Sequence, residues 1–293
     1  MMKKNECTVC KSTNVKQIDY MRRYDKYVLM KCKECGLKFI LSKDFEKLSD
    51  DVYWDDVNKK IYSMPMVLKE FKRKHIKYLD YLIKCGSPNN KLLDVGSGNG
   101  IFLSNAKERN FKVTGVEPSQ MAVELCKSHY NIDTVCCYLD SDSDMPRDYG
   151  ILSAWDVIEH VEDPKKFIEI CHAHLIKGGV FLLETPDESC LIRKVVNIID
   201  RIGRFLGLKS SSNIYYPSHR YYFTHKSMIR LLTDVGFTKI KIFHEHSIYS
   251  KSKAKYKLYR KLPTIKMLKY NFIFFILKFP LFWNKQVIIC QKR

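Results

Sequence analysis

Apolar residues follow two different spacings along the middle of this chain. Short continuous apolar runs predict buried strands, and apolar residues three and four positions apart predict helices between them. This alternation indicates an α/β fold, a parallel sheet with helices on both faces. Strands are predicted at 91–95, 112–117, 133–137, 149–154, 180–185, 238–243 and 284–291, and helices at 100–109, 121–129, 164–175 and 226–235.

Glycines are predicted to end two of these helices. Gly178 and Gly179 follow the helix predicted at 164–175, and Gly236 follows the helix predicted at 226–235. Glycine is favoured just past a helix because the chain there often turns through a left-handed conformation.

A glycine-rich turn follows the first predicted strand, in the stretch LLDVGSGNGIF at 92–102. Glycines in such a turn let a ligand come close to the backbone. The dinucleotide fingerprint G-x-G-x-x-G is not met, because Ile101 stands where its third glycine would fall. A phosphate-binding P-loop would need Gly-Lys-Ser/Thr, which is absent from this turn. Both phosphate interpretations are therefore disfavoured.

A ligand of a parallel α/β sheet binds at the carboxyl ends of its strands. Glu117 and Pro118 stand at the end of the second strand, where a carboxylate accepts hydrogen bonds from ribose hydroxyls and repels a 2′-phosphate. Polar and aromatic residues follow the fourth strand, from Trp155 to Pro164. These two strand ends are predicted to border the ligand.

Four cysteines near the start form two pairs, Cys7-x2-Cys10 and Cys32-x2-Cys35. Two such pairs predict a zinc ribbon with four cysteine ligands in tetrahedral arrangement, and four thiolates leave no open position, so the zinc would be structural. The alternatives are two unrelated pairs or a redox pair. The other seven cysteines have no ligand spacing and are predicted to be small buried apolar residues. His172-x-His174 and His244-x-His246 are likewise expected to be core or surface histidines. The first pair lies in a helical pattern, where residues two apart diverge, and the second has no carboxylate or cysteine cluster nearby.

The charge of the chain is concentrated at one end. Lys and Arg number 51 against 32 Asp and Glu, and the 48 residues 246–293 hold 12 of the basic residues and no acidic one. A basic tail of this kind favours phosphates on nucleic acid or on an anionic lipid surface. Lysine-rich composition without a partner is the alternative.

The chain is expected to be cytoplasmic, with reduced cysteines, either free or docked on the inner face of the membrane. Residues 1–7 have no apolar core, so no leader is expected, and the apolar run 267–283 is too short and interrupted to span a bilayer. The segments 191–206 and 251–283 combine basic with apolar residues, which predicts interfacial helices. A solvated helix face and a packed core helix are the alternatives.

Five stretches together carry a family resemblance: LLDVGSGNG, GVEPS, WDVIEHVEDP, LIKGGVFLLETPDES and SHRYYFTHKSMIRLLTDVGF. In this order and spacing they resemble class I S-adenosylmethionine-dependent methyltransferases, over roughly 75–245. The group they are most similar to includes ubiquinone-biosynthesis O-methyltransferases and methyltransferases of sugar and surface-glycan pathways. Some sugar methyltransferases of this type also carry an N-terminal zinc module with four cysteine ligands.

The resemblance implies a Rossmann-like, seven-stranded methyltransferase sheet with S-adenosylmethionine as cofactor. It implies that Asp94, Gly96 and Gly98 hold the methionyl side, that Glu117 takes the ribose and that Trp155 and Asp156 border the amino-acid tail. Tyr138 or Leu139, after the third strand, is the expected adenine contact. The full set of expected cofactor-binding residues is Asp94, Gly96, Ser97, Gly98, Gly100, Glu117, Pro118, Tyr138, Leu139, Trp155 and Asp156.

Methyl transfer to a hydroxyl needs a base that takes the proton as the new bond forms. His160, after the fourth strand, and His219, before the sixth, are the candidate catalytic residues, each with a purely structural alternative. Glu159 is expected to buttress the loop. Tyr53, Trp54 and Tyr62 are expected either to cover the cofactor as a lid or to pack in the ordinary way.

The expected organisation is a zinc ribbon at 1–42, a helical lid or linker at 43–90 and a cofactor-binding core at 91–248. The core contains a substrate-cap insertion at 186–222; a basic segment at 249–283 and a final core strand at 284–293 follow.

The expected function is methyl transfer, at oxygen, to a small-molecule or lipid-linked acceptor such as a sugar intermediate. Two alternatives stay open: an RNA methyltransferase and a non-catalytic zinc-ribbon binding protein. Neither a Pro-Pro run nor a Pro-Cys pair is present, which disfavours two routes of base methylation.

Overall fold

The computed structural model describes residues 6–20, 28–41, 54–141, 144–205, 215, 218–247, 250–251, 254 and 283–293. The strands are β1 (Val15–Tyr20), β2 (Val28–Cys32), β3 (Lys38–Leu41), β4 (Lys91–Val95), β5 (Lys112–Val116), β6 (Thr134–Val135), β7 (Tyr149–Trp155), β8 (Leu175–Pro186), β9 (Tyr221–Tyr222), β10 (Phe237–Glu245) and β11 (Lys285–Lys292). The helices are α1 (Asp56–Tyr62), α2 (Pro65–Lys84), α3 (Ile101–Lys107), α4 (Gln120–Tyr130), α5 (Pro164–His174), α6 (Leu191–Phe205) and α7 (His225–Val235).

A seven-stranded sheet forms the centre of the molecule, in the order β10-β11-β8-β7-β4-β5-β6. Strands β4 to β8 pair in parallel. The last strand, β11, lies between β8 and β10 and runs antiparallel to both. The predicted α/β class and the seven-stranded sheet are confirmed.

Successive side chains of the central strands enter two separate cores, one on each face of the sheet. Leu92, Leu182 and Ile289 pack on one face with side chains of α2, α3 and α4. Their chain neighbours, such as Leu93 and Leu183, pack on the other face with α5 and α7. A strand covered on both sides has no polar face, which is why these strands read as continuous apolar runs.

One of the two predicted helix ends is confirmed and the other is wrong. Gly236 follows α7 in a left-handed conformation, with φ of 107°. Helix α5, however, ends at His174, and β8 begins directly at Leu175, so Gly178 and Gly179 lie inside a strand. The pairing register with β7 shifts beside them, and Gly178 has φ of 75°. Glycine here permits an irregular strand start and not a helix end.

The four N-terminal cysteines come together, with their sulfur atoms all within 4.8 Å of one another. Cys7 Sγ lies 3.6 Å from Cys35 Sγ, and Cys10 Sγ lies 3.5 Å from Cys32 Sγ. Four sulfurs about 2.3 Å from one tetrahedral zinc ion would be about 3.8 Å apart. The cluster therefore suggests zinc and fits it in both donor type and spacing.

The cysteine-bearing segment packs as part of the main body. Strands β1, β2 and β3 form a small antiparallel sheet whose fourth strand is β9, far along the chain. Phe39 and Leu37 belong to the same core as Phe223 and Leu231. The cap of α7 also meets the second cysteine pair, because the Thr224 hydroxyl donates to the carbonyl of Cys35 at 2.8 Å. The division at residue 42 remains a prediction, and the two parts share one core.

A buried ion pair joins β3 to the segment after β8. Lys38 and Glu188 contact each other with side chains 8% and 3% exposed, and the Tyr215 hydroxyl contacts both. Arg193 lies 3.7 Å from Glu188 and stacks over Tyr215. Charges out of water need partners of this kind, because desolvation alone is costly.

No helix in the described parts of the chain is long and apolar enough to cross a bilayer. Most of the basic segment predicted at 249–283 lies outside the described residues. The first amphipathic segment is α6, and its exposed apolar side chains, Val195, Ile198 and Ile202, recur at helical spacing.

Replacing Lys38 with methionine should leave Glu188 buried without its lysine. Breaking a buried pair costs about 3–5 kcal/mol, so the free energy of unfolding, measured by urea denaturation, should fall by about that amount. Lys16→Met, on an exposed position of β1, is the control and should change it by less than about 0.5 kcal/mol. Adding Glu188→Leu should restore much of the loss. An unchanged free energy of unfolding in Lys38→Met would show that the Lys38–Glu188 pair does not contribute to stability as predicted.

Candidate active site

The glycine-rich turn between β4 and α3 is left-handed at Gly96, Gly98 and Gly100, with φ of 69°, 53° and 82°. A Cβ on Gly96 would lie 2.6 Å from a methyl group of Val157, and one on Gly100 would collide with Cys126 of α4. Gly100 was expected to serve the cofactor, but the packing of α4 against the turn is sufficient to require glycine there.

Ser97, another expected cofactor residue, turns its side chain into the protein. Its hydroxyl lies 2.7 Å from where a Cβ on Gly115 of β5 would stand, and the residue is buried. The Ser97 hydroxyl is therefore buried and not accessible to a ligand at the surface of the turn.

Two buried carboxylates border the turn at the carboxyl ends of β4 and β5. Glu117 accepts hydrogen bonds from the backbone N–H of Gly98 at 2.8 Å and of Ser119 at 3.1 Å. Asp94 accepts one from the Ser153 hydroxyl at 2.6 Å. Burial raises the pKa of Asp94 to about 7, against the opposing effect of the Ser153 hydrogen bond. Glu117 thus holds the turn in shape from the strand beside it.

The residues after the third core strand, β6, are only partly placed as expected. Tyr138 is about half exposed. Leu139 is 8% exposed and packs in the main core with Val116 and Ala154. Of the two expected adenine contacts, Tyr138 is the one whose side chain is accessible.

Trp155 and Asp156, at the end of β7, point in different directions. The Trp155 ring packs against His75 of α2 and Phe102 of α3, each with ring centres 5.1 Å apart. Asp156 has a left-handed backbone, with φ of 56°, and pairs with Lys285 of β11. Desolvation alone would raise the pKa of Asp156, but the Lys285 charge outweighs it and holds that pKa below its usual range.

Lys285 is the site residue that sequence reasoning missed. Its side chain is 12% exposed, contacts Asp156 and lies 3.8 Å from Glu184 of β8. Burial alone would lower the pKa of Lys285, but Asp156, Glu184 and Glu159 together raise it, so the lysine stays charged. No local signal marks this lysine, because it reaches the site only through the insertion of β11 beside β8.

Glu159, His160 and His219 converge just after β7. Their ligand-type atoms lie within 4.8 Å of one another, and the two rings are 4.7 Å apart, centre to centre. Such a group can hold a proton or a cation. Burial and the nearby Asp156 charge raise the pKa of Glu159 to about 8. Glu159 Oε2 accepts a hydrogen bond from the Thr185 hydroxyl at 2.9 Å.

Both histidines of this cluster are neutral at neutral pH. Burial lowers the pKa of His219 to about 3, with a further contribution from His160, and burial also lowers the pKa of His160. His160 Nδ1 lies 2.7 Å from the carbonyl oxygen of Ser218. A carbonyl can only accept, so Nδ1 carries the proton and Nε2 keeps its lone pair. His160 is therefore arranged as a base.

The aromatic residues ahead of the core cover the turn in part. A Cβ on Gly98 would lie 3.1 Å from the Trp54 ring, which is 6% exposed. The Trp54 ring packs at a tilt against Tyr62, with ring centres 5.3 Å apart, and Tyr62 stacks on Phe71 of α2. Tyr53 lies outside the described residues. Trp54 thus lies directly over the backbone at which a ligand is expected.

The family model described as "Methyltransferase domain" matches residues 68–242. The chain belongs to this methyltransferase family. Its seven-stranded sheet agrees with the class I S-adenosylmethionine-dependent methyltransferase fold that the sequence resembles.

Similar proteins agree with this assignment. Ubiquinone biosynthesis O-methyltransferase of Idiomarina loihiensis is 30% identical over 34% of this chain and 43% of that protein. The mitochondrial enzyme of the same name from Schizosaccharomyces pombe is 30% identical over 35% of this chain and 40% of that protein. A SAM-dependent methyltransferase from Archaeoglobus fulgidus has a similar fold, with a TM-score of 0.53 at 17% identity, covering 82% of this chain and all of that one. The chain thus spans less than half the length of these curated relatives.

Replacing Glu159 with glutamine should change how stability depends on pH. The folded-state pKa of about 8 lies above the ordinary 4.5, so the wild type loses stability as pH rises between these values. Glutamine imitates the protonated form. In EDTA, the stability of Glu159→Gln relative to wild type should therefore grow by about 1.4 kcal/mol per pH unit from about pH 5 to 8.

The measurement is urea unfolding at several pH values. Glu169→Gln, at an exposed position of α5, is the control and should show no such trend. If the free energy of unfolding differed between Glu159→Gln and wild type by the same amount at every pH, Glu159 would already be ionised in the folded chain.

Proposed function

We propose that this methyltransferase transfers a methyl group to a hydroxyl oxygen of a small-molecule or lipid-linked acceptor, such as a sugar or surface-glycan intermediate. The observation that carries the proposal is the position of the His160 base, which follows β7, the strand next to β4 and its glycine-rich turn. Cofactor turn and base thus stand at adjacent carboxyl ends of the sheet.

The residues of the turn suit S-adenosylmethionine, which carries no phosphate. The turn holds no Lys or Arg that would bind a phosphate, and Gly96 and Gly98 take left-handed backbone conformations that glycine adopts without strain. Glu117 would accept from the ribose hydroxyls, and Asp94 would lie near the methionyl group. The bound cofactor would supply the methyl group of a sulfonium, whose C–S bond breaks so that a neutral thioether leaves.

The proposed chemistry at the acceptor is the removal of one proton. His160 Nε2 takes the hydroxyl proton as the acceptor oxygen gains its methyl group, and Ser218 holds the ring in the required tautomer. His219 packs edge-on against His160 and fixes its position. Lys285 keeps Asp156 ionised and paired, so Asp156 does not compete for this proton. Trp54 would help to exclude water from the turn.

Two features support an acceptor at oxygen that is lipid-linked. The curated relatives are named as O-methyltransferases of ubiquinone biosynthesis. Helix α6, directly after the carboxyl end of β8, exposes Val195 by 40%, Ile198 by 58% and Ile202 by 55%. An exposed apolar stripe on a helix with basic residues suits the surface of an anionic membrane, which is where a lipid-linked acceptor would be.

Replacing Glu117 with alanine should weaken cofactor binding. A hydrogen bond to a charged group contributes about 1.5–3 kcal/mol, so the Kd for S-adenosylmethionine should rise by about 10- to 100-fold in isothermal titration calorimetry. Glu124→Ala, on the exposed side of α4, should bind like wild type. Equal affinity in wild type and Glu117→Ala would remove Glu117 from the cofactor site.

Replacing His160 with glutamine should remove the base and leave the cofactor site intact. We expect kcat to fall by about 10²- to 10⁴-fold with an unchanged Kd for S-adenosylmethionine. The wild-type rate should fall in acid only below the ordinary histidine range, because the pKa of His160 is lowered by burial. His129→Gln, on the surface of α4, is the control. A kcat retained in His160→Gln would contradict the assignment.

The acceptor class is tested by following radiolabelled methyl groups from S-adenosylmethionine. The acceptors offered are nucleotide sugars, a polyprenyl-linked sugar in phosphatidylglycerol vesicles, and unmodified ribosomal RNA. Labelling of either sugar acceptor supports the proposal, and labelling of RNA alone overturns it. Ile198→Glu should slow only the vesicle reaction, whereas Ile229→Glu, at another exposed apolar position on α7, should not.

A further inference from the structure

Asp187, His225 and His244 form a second cluster of metal-ligand type, outside the turn and the His160 group. Asp187 directly follows β8, His225 is the first residue of α7, and His244 lies on β10. One ligand atom from each lies within 4.8 Å of the others. Three elements far apart in the chain thus direct one donor each to a common point.

One oxygen of Asp187 lies close to a ring nitrogen of each histidine. Asp187 Oδ2 lies 3.0 Å from His225 Nε2 and 3.7 Å from His244 Nδ1. The other oxygen, Oδ1, already accepts the backbone N–H of Ser189 at 2.7 Å, which fixes the carboxylate. Oδ2 is therefore the atom directed at both rings.

The charge of Asp187 gives the cluster a reason to take up a cation. Its side chain is fully buried, and within the described parts of the chain its basic neighbours closer than 4 Å are the two histidines. Neither histidine carries the permanent positive charge of a lysine or an arginine. A buried carboxylate without a compensating charge is costly, and a divalent metal ion would compensate it.

We propose that Asp187, His225 and His244 bind a divalent first-row transition metal ion, with zinc as the representative ligand. With metal–ligand bonds of about 2.05 Å, the two measured separations correspond to angles of about 95° and 130° at the metal, on either side of the tetrahedral value. His244 is 57% exposed, so metal can reach the three donors from solvent. Three protein donors leave a coordination position open for water or an anionic ligand.

This site is separate from the other metal-ligand groups. The N-terminal cluster offers four thiolates, and the His160 group lies after β7. The neighbouring His246 takes no part, because its Nδ1 donates to the Ser247 carbonyl at 2.7 Å. The sequence shows no carboxylate near His244. In the folded chain, however, Asp187 and His225 both lie beside it. The proposal does not depend on methyl transfer.

The test counts zinc. The whole 293-residue chain is purified, its zinc content is measured by mass spectrometry, and further Zn²⁺ is titrated against a chromophoric chelator. Wild type should bind a second zinc ion beyond that of the four cysteines. His244→Ala, at an exposed position, should bind this second ion at least about 100-fold more weakly, whereas His129→Ala should match wild type. Asp187→Asn gives an independent check at the central oxygen.

Cobalt separates the cysteine site from the proposed one. Thiolate-to-cobalt charge-transfer bands report the four cysteines alone, so the second Co²⁺ ion should add visible absorption without them. Uptake of only one metal ion by wild type would overturn the proposal. A second ion that persists in His244→Ala and disappears in His160→Gln would also overturn it, because the metal would then lie in the His160 group.

Discussion

Buried negative charge at the carboxyl edge of the sheet is the constraint on which the rest of this structure depends. Six carboxylates there are almost inaccessible to water: Asp94, Glu117, Glu159, Glu184, Asp187 and Glu188. Each needs a hydrogen-bond donor, a cation or a proton, because an unpaired charge is strongly disfavoured in the interior. The partners come from every part of the chain, and the architecture of the site follows from how they are delivered.

Three lysines illustrate that delivery. Lys38 comes from the cysteine-bearing sheet to Glu188, Lys74 from α2 to Glu184, and Lys285 from the last strand to Asp156 and Glu184. Each connects a peripheral element to the edge of the central sheet. The N-terminal segment is thereby held against the segment after β8, and β3 also pairs with β9. The stability of the fold and the arrangement of the candidate site thus depend on the same contacts.

Where no lysine is available, the carboxylates take other solutions. Asp94 accepts from Ser153, and Glu117 accepts two backbone N–H groups of the turn that it shapes. Burial raises the pKa of Glu159, which favours its protonated form. Burial also lowers the pKa values of the neighbouring His160 and His219, which favours their neutral forms. Asp187 faces two imidazoles. An edge of this composition provides proton acceptors and cation ligands at adjacent strand ends, as chemistry on a bound acceptor requires.

The sequence by itself determined the α/β class, most strand and helix positions, the two Cys-x2-Cys motifs of one four-cysteine cluster and the turn with its two flanking acids. These signals are local: the period of apolar residues, glycine spacing and Cys-x2-Cys pairs all act over a few residues. Gly178 misled because glycine permits an irregular strand as readily as a helix end. Only the tertiary structure decided that Leu139 is core, that Ser97 points inward and that Gly100 accommodates Cys126. It alone brought Lys285 to Asp156 and Asp187 to His244, because such pairs depend on strand order, and strand order is fixed by packing between residues distant in sequence.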